Sequence, residues 1–145
     1  MKKRGVINQQ LSNALAGLGH GDYFLLCDAG FPIPKDVERV DMALTFGIPS
    51  MNQCLKAILD EIIVQKITIA EEMKGLNAEG YQFVKKAFKN QDFQEIPQTE
   101  LVKLAQNAKF IVRSGELRCY SNILLEAASG VDTFKKNFII DPEQI

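Results

Sequence analysis

The single histidine of the chain, His20, lies between two glycines in the run Leu18-Gly19-His20-Gly21-Asp22. Imidazole can donate a proton and take it back near neutral pH. Glycines, which carry no Cβ, let a ligand approach the backbone closely. The same pattern is also typical of a capping or surface histidine that follows the end of a helix. His20 is therefore a candidate acid–base residue with a structural alternative.

A carboxylate follows at the far end of the next apolar segment. Tyr23 to Cys27 is a continuous apolar run, as expected of a strand covered on both faces, and Asp28 comes directly after it. Ligands of open α/β sheets gather at the carboxyl ends of strands, so Asp28 is placed to bind a small polar molecule. Alternatively, Asp28 caps its own turn before Pro32.

A second polar segment, Tyr120-Ser121-Asn122, opens the last predicted strand. Because side chains alternate along a strand, Tyr120 and Asn122 are predicted to share one face. They offer a hydroxyl, an amide and an aromatic ring, which suit the hydroxyls and ring face of a sugar. The alternative is an edge strand whose polar face lies in water.

Other reactive side chains are predicted to be structural. Arg113 and Glu116 are expected to form an ion pair that shapes a loop, and the adjacent Glu71 and Glu72 are expected to start a solvated helix. No phosphate-binding loop, metal-ligand spacing or serine nucleophile motif is found, so we expect no cofactor and no metal. The cysteines are odd in number and widely spaced, which predicts reduced, buried thiols at Cys27, Cys54 and Cys119.

Helices and strands alternate along the chain. Asn8, Ser50 and Asn77 are predicted to begin helices, Gly19 to end the first one, and residues 99–109 to form a later helix. Predicted strands are 23–27, 40–44, 66–70, 93–96, 110–112 and 120–127. This order predicts an α/β fold, with helices layered around a mostly parallel sheet. We expect one domain over residues 1–130, followed by a C-terminal extension of unknown role at 131–145.

Composition restricts the class of protein. The chain has 145 residues, of which 46% are hydrophobic and 24% charged, with a formal charge of −1. These values are typical of a soluble globular domain and give no electrostatic reason to expect nucleic acid or an anionic membrane as a partner. No apolar stretch approaches the roughly 20 residues that span a bilayer, and no signal sequence follows the basic start. We therefore expect a cytoplasmic protein.

The chain resembles the D-ribose pyranase family, whose relatives include L-fucose mutarotases. The matching pieces occur in family order over nearly the whole of residues 1–130, and their joint occurrence is specific. They are Leu18-Gly19-His20, Cys27-Asp28-Ala29-Gly30 with Pro32-Ile33-Pro34, Arg39 to Leu44, Ala70-Glu71-Glu72, Val112 to Glu116 and Tyr120-Ser121-Asn122.

The resemblance implies a cytoplasmic, cofactor-free enzyme that interconverts the pyranose and furanose forms of ribose. His20 would match the proton donor and Asp28 the sugar-binding aspartate, and the sugar-binding segment would be Tyr120, Ser121 and Asn122. Gln98 departs from the pattern, because it stands where the family has a second sugar-contacting histidine. Glutamine can hydrogen-bond a hydroxyl but cannot carry a titrating proton. Two alternatives remain: a mutarotase for L-fucose or another sugar, and a non-catalytic sugar-binding protein.

The spacing of His20 and Asp28 adds a further expectation. Five extended residues between them span roughly 16 Å, too far for both to touch one small sugar without a sharp bend or a second subunit. We therefore expect an obligate homo-oligomer with its active sites at subunit interfaces. The resemblance implies ring-shaped assemblies of five-fold symmetry, and we expect a ring-shaped decamer.

Overall fold

The computed structural model describes residues 1–130, which contain six strands and five helices. The predicted C-terminal extension lies outside the described residues. The strands are β1 Tyr23–Cys27, β2 Arg39–Asp41, β3 Val64–Ala70, β4 Asp92–Ile96, β5 Ile111–Arg113 and β6 Ile123–Ala127. The helices are α1 Gln9–Ala16, α2 Met51–Leu59, α3 Met73–Leu76, α4 Ala78–Ala87 and α5 Gln98–Ala105.

The strands form one sheet in the order β2-β5-β1-β6-β3-β4. β1, β2, β3, β4 and β5 point the same way, and only β6 is antiparallel to its neighbours, so the predicted mostly parallel α/β sheet is confirmed. The link from β5 to β6 is too short for a crossover helix, so the chain returns from the edge at which β5 ends. We call this edge, where β1 to β5 end and β6 begins, the carboxyl edge; the opposite one is the amino edge.

Both faces of the sheet are covered by helices. Phe24 and Leu26 of β1 pack into a large core beneath α1, α2 and α4, whereas Leu25 and Cys27 pack into a smaller core beneath α5. This alternation explains why the β1 segment is apolar at every position. The predicted strand 23–27 therefore matches β1 at both ends.

Helix starts follow the capping signals. The Asn8 side chain accepts a hydrogen bond from Leu11 N at 2.8 Å, and Ser50 forms a capping box with Gln53. The predicted end of the first helix at Gly19 is wrong, because the turn already closes at Gly17.

Other predicted boundaries also differ from the structure: β3 begins at Val64, β4 at Asp92, β5 at Ile111 and β6 at Ile123. The strand predicted at 40–44 is β2, which stops at Asp41 because the Asp41 carboxylate accepts from Ala43 N and turns the chain. The helix predicted at 99–109 is α5, which is shorter and begins one residue earlier, at Gln98. Within residues 1–130, no helix combines the length and apolar character needed to cross a membrane.

Candidate functional site

Asp28 lies in a buried turn at the carboxyl edge. Its Oδ1 accepts a hydrogen bond from Gly30 N at 3.0 Å, so Asp28 caps its own turn as the structural alternative predicts. The loop after β5 supports this turn: Ala29 N donates to Glu116 O at 2.8 Å, and Ser114 Oγ donates to Cys27 O at 2.8 Å. Asp28 is only 7% exposed.

Asn122 pairs with Asp28 from the start of β6. Asn122 Oδ1 accepts from Asp28 N at 3.1 Å, and the Asn122 side chain also hydrogen-bonds the Asp28 carboxylate. Burial raises the pKa of Asp28, although hydrogen bonds from Gly30 N, Asn122 and the backbone of Ser121 and Phe31 act in the other direction. The raised pKa makes this carboxylate a stronger base than an ordinary aspartate.

Tyr120 and Asn122 do not share the face of a strand, so that prediction is wrong. Tyr120 belongs to a turn and has φ of 59°, and β6 begins only at Ile123, which pairs with Leu26. Ser121 and Asn122 are 3% and 2% exposed, so the alternative of a solvated edge strand is also wrong. The half-buried Tyr120 ring packs against both cores.

Gln98 is the first residue of α5, at the same edge of the sheet. Its backbone N–H donates to the Glu72 carboxylate, at 2.9 Å from Oε2 and 3.1 Å from Oε1. Its side-chain Oε1 is buried and has no hydrogen-bond partner among the described residues. A buried carbonyl oxygen without a donor costs about 1–3 kcal/mol, so this atom is suited to accept from a bound hydroxyl.

Glu72 anchors Gln98, a role that sequence reasoning missed. The predicted solvated helix start is correct for Glu71, which is exposed, whereas the half-buried Glu72 reaches back to Gln98 N. The family-matching piece Ala70-Glu71-Glu72 points to this carboxylate. The sequence does not show, however, that Glu72 accepts a hydrogen bond from the backbone of a residue 26 positions later.

His20 lies at the amino edge, in an exposed turn between α1 and β1. Its Nδ1 accepts from Ser129 N at 3.0 Å. Asp22 holds the turn, because its Oδ2 accepts from Gly19 N at 2.8 Å and pairs with Lys109 Nζ at 3.2 Å. These two contacts lower the pKa of Asp22.

The structure places the predicted site residues other than His20 at one edge of the sheet, where Asp28 hydrogen-bonds Asn122 and Gln98 lies three strands away from β1. Asp28, Gln98 and the segment 120–122 share the carboxyl edge, whereas His20 sits beyond the opposite end of β1. The register is regular, from Tyr23 opposite Glu126 to Leu26 opposite Ile123, so no bend shortens the roughly 16 Å between the two ends of β1. His20 and Asp28 of one chain therefore do not meet.

The predicted Arg113–Glu116 ion pair is wrong. Arg113 instead pairs with Asp41 at 3.1 Å and donates Nε to Ala29 O at 3.1 Å, which ties β2 to the Asp28 turn. Glu116 pairs with Arg118, whose Nε lies 3.1 Å from its Oε1. Burial alone would raise the pKa of Glu116, but the hydrogen bonds and charge of Arg118 outweigh it and the pKa is lowered.

The cysteines fit the expected structural role only in part. Cys27 and Cys54 are buried free thiols, and burial raises both pKa values, that of Cys54 to about 12. Such thiols are poor nucleophiles. Cys119 is exposed, so the prediction of three buried thiols is wrong at this position, because the turn before Tyr120 lies on the surface.

Known proteins share both the sequence and the fold. Residues 1–131 match the model of the RbsD / FucU transport protein family. The chain is 39% identical over 127 residues to the D-ribose pyranase of Bacillus licheniformis, a match that covers 88% of this chain and 97% of that protein. It is 44% identical over 133 residues to D-ribose pyranase 2 of Rubrobacter xylanophilus, which covers 91% and 85% of the two chains.

A solved structure agrees with these sequence matches. The structure of Bacillus subtilis RbsD complexed with D-ribose has a TM-score of 0.87 and 34% identity to this chain. The match covers 90% of this chain and 100% of that one. Because the family model matches residues 1–131 of the 145, the chain belongs to the RbsD / FucU transport protein family.

Proposed function

We propose that this protein is a D-ribose pyranase, an isomerase that interconverts β-D-ribopyranose and β-D-ribofuranose in ribose utilisation. The observation that carries the proposal is the likeness to RbsD complexed with D-ribose over the whole of that chain. Curated relatives named D-ribose pyranase, matched over 85% to 97% of their length, support the same activity. The polar groups at the carboxyl edge supply the hydrogen-bonding chemistry that a small sugar needs.

The reaction needs proton transfers and no change of oxidation state. Ring opening breaks the bond between the anomeric carbon and the ring oxygen, as a proton is given to that oxygen and one is taken from the anomeric hydroxyl. Closure through a different hydroxyl reverses these transfers and yields the other ring size. General acid–base catalysis accelerates such steps by about 10²–10⁴.

We assign the acid to His20, which would exchange its proton with the sugar through Nε2 because Nδ1 faces Ser129 N. The base is Asp28 or a water molecule; the raised pKa makes the Asp28 carboxylate a stronger base than an ordinary aspartate. The sugar hydroxyls are oriented by Asp28, Gln98, Tyr120, Ser121 and Asn122. Of these groups, the buried Gln98 Oε1 offers an acceptor with no partner among the described residues.

The active site is assembled from two subunits, with His20 of one chain facing the carboxyl edge of another. Two features support this: His20 and Asp28 of one chain lie at opposite edges, and apolar side chains are exposed beside the Asp28 turn. Leu44 and Phe46 are 81% and 84% exposed, and they line a groove of about 240 Å³ with Leu117 and Ala29. Exposed apolar patches of this kind mark interfaces. We propose a cytoplasmic homo-oligomer, a ring-shaped decamer.

The activity is tested by following ribose ring exchange with NMR saturation transfer. We expect the wild-type chain to accelerate exchange and His20→Ala to lose the acceleration while keeping its circular dichroism spectrum. Equal acceleration by both would remove His20 from the mechanism. The same measurement with L-fucose separates a ribose enzyme from a fucose mutarotase, and ribose binding without faster exchange would identify a sugar-binding protein.

A further inference from the structure

Asn77 connects the start of α4 to the predicted sugar-binding segment. It lies in the turn between α3 and α4 and is 7% exposed. Its Nδ2 donates to Ser121 Oγ at 2.8 Å, and its Oδ1 accepts from Gly80 N at 3.1 Å. Ser121 is 44 residues away in the chain and also buried, so this contact joins the helical layer to the site segment.

The two contacts fix which way the Asn77 amide points. The Gly80 backbone N–H can only donate, so the amide oxygen faces it and the NH₂ group faces Ser121. A Cβ at Gly80 would lie 2.7 Å from Asn77 Nδ2, so this arrangement also requires a glycine there. Because Ser121 Oγ accepts from Asn77, its own hydrogen remains to be donated elsewhere.

The backbone of Ser121 also matters for the site. It hydrogen-bonds the Asp28 carboxylate, and Ser121 follows Tyr120, whose φ of 59° needs support from its surroundings. The Asn77 side chain, which hydrogen-bonds Ser121, therefore affects both the direction of the Ser121 hydroxyl and the conformation of the segment 120–122.

We propose that Asn77 is a positioning residue of the ribose site, which acts by fixing Ser121 as a hydrogen-bond donor towards the sugar. The inference rests on the proposed function, since it assumes that ribose contacts the 120–122 segment. Asn77 itself does not touch the sugar.

The variant Asn77→Asp separates this role from capping. A carboxylate at position 77 still accepts from Gly80 N and caps α4, but it has no N–H to donate to Ser121. The Ser121 hydroxyl then donates to the new carboxylate instead of the sugar. We expect the KM for ribose exchange to rise about tenfold with kcat changed less than about threefold. Asn77→Ser, which also caps the helix but lacks the amide, provides a second variant should the first fail to fold.

A double-variant cycle tests whether Asn77 acts through Ser121. If it does, adding Asn77→Asp to Ser121→Ala changes the KM by less than about twofold, whereas independent effects would multiply. The control is Glu79→Gln in the first turn of α4, which removes only an exposed ion pair with Arg118 and leaves the KM unchanged.

The outcomes distinguish this inference from the proposed function. If the wild type accelerates exchange but Asn77→Asp keeps the wild-type KM, or if the two effects multiply, the positioning role is refuted and the activity stands. If the wild type does not accelerate ribose ring exchange, both the positioning role of Asn77 and the proposed function are refuted.

Discussion

The buried Gln98 Oε1 gives a prediction in which stability and affinity change in opposite directions. The atom has no hydrogen-bond partner among the described residues, although the Gln98 backbone is anchored on Glu72. In Gln98→Met, a side chain of similar length fills the same space without a carbonyl oxygen. The backbone N–H still donates to Glu72, so the start of α5 is preserved.

The expected magnitude follows from the cost of burying an unpaired acceptor. Replacing the unpaired oxygen by apolar atoms removes a desolvation cost of about 1–3 kcal/mol from the folded state. The free energy of unfolding of the ligand-free protein therefore stays equal or increases. Ribose loses a hydrogen bond when it binds, so its Kd rises about fivefold to twentyfold. Since the stability added by a bound ligand grows with the logarithm of one plus the ratio of ligand concentration to Kd, ribose protects the variant less against urea than it protects the wild type.

The assay is urea denaturation with and without ribose, combined with calorimetric titration of ribose. Gln94→Met is the matched control, because Gln94 is an exposed glutamine on β4 just before this site, and we expect its stability to change by less than about 0.5 kcal/mol. A ligand-free Gln98→Met protein that is clearly less stable than wild type, with unchanged ribose affinity, would refute the reasoning. It would mean that Gln98 Oε1 stabilises the folded protein and does not hydrogen-bond ribose.

Three further predictions follow from the loops around the site. Glu116→Gln should cost about 1–3 kcal/mol at pH 7 in urea unfolding. Because the pKa of Glu116 is lower in the folded than in the unfolded protein, its carboxylate stabilises the fold above the unfolded-state pKa, and this stability is lost as pH falls through the folded-state pKa. The difference in unfolding free energy between wild type and variant should therefore vanish in acid. A difference that does not depend on pH would contradict this. In Gly115→Ala the new methyl group would lie 2.5 Å from Ile48 O and displace the exposed loop that carries Phe46. Sedimentation should then show dissociation into smaller species. An assembly that stays intact would show that this loop is not part of the subunit interface. A thiol reagent should label only Cys119 in the folded protein and all three cysteines in urea, and native labelling of a buried thiol would contradict the packing.

Local signals in the sequence predict much of the fold. The apolar run of β1 and the caps at Asn8, Ser50 and Asn77 are properties of a few neighbouring residues, so their positions are correct in the structure. The end of β2 is set by a local turn at Asp41 that the apolar pattern does not reveal, because Ala43 N donates to the Asp41 carboxylate. The turn at Tyr120 depends on contacts with distant segments, so the predicted start of β6 is wrong when judged from local pattern alone.

The candidate site shows the same division. The position of Asp28 at a strand end and its separation from His20 follow from strand length and direction. Its pairing with Asn122, which lies 94 residues away, follows only from β1 and β6 being neighbours in the sheet. The incorrect Arg113–Glu116 pair illustrates the limit: proximity in sequence suggested it, but Asp41 on the adjacent β2 and the nearby Arg118 provide better partners.

The central claim is that ribose is isomerised at a site shared by two subunits, and subunit mixing tests it most directly. Asp28→Asn and His20→Ala proteins are each prepared, confirmed to be folded and inactive, then unfolded together in equal amounts and refolded. If each site takes His20 from one subunit and Asp28 from its neighbour, random mixing restores about one quarter of the wild-type acceleration of ribose ring exchange. Mixtures that form hybrid assemblies but stay inactive would contradict the account.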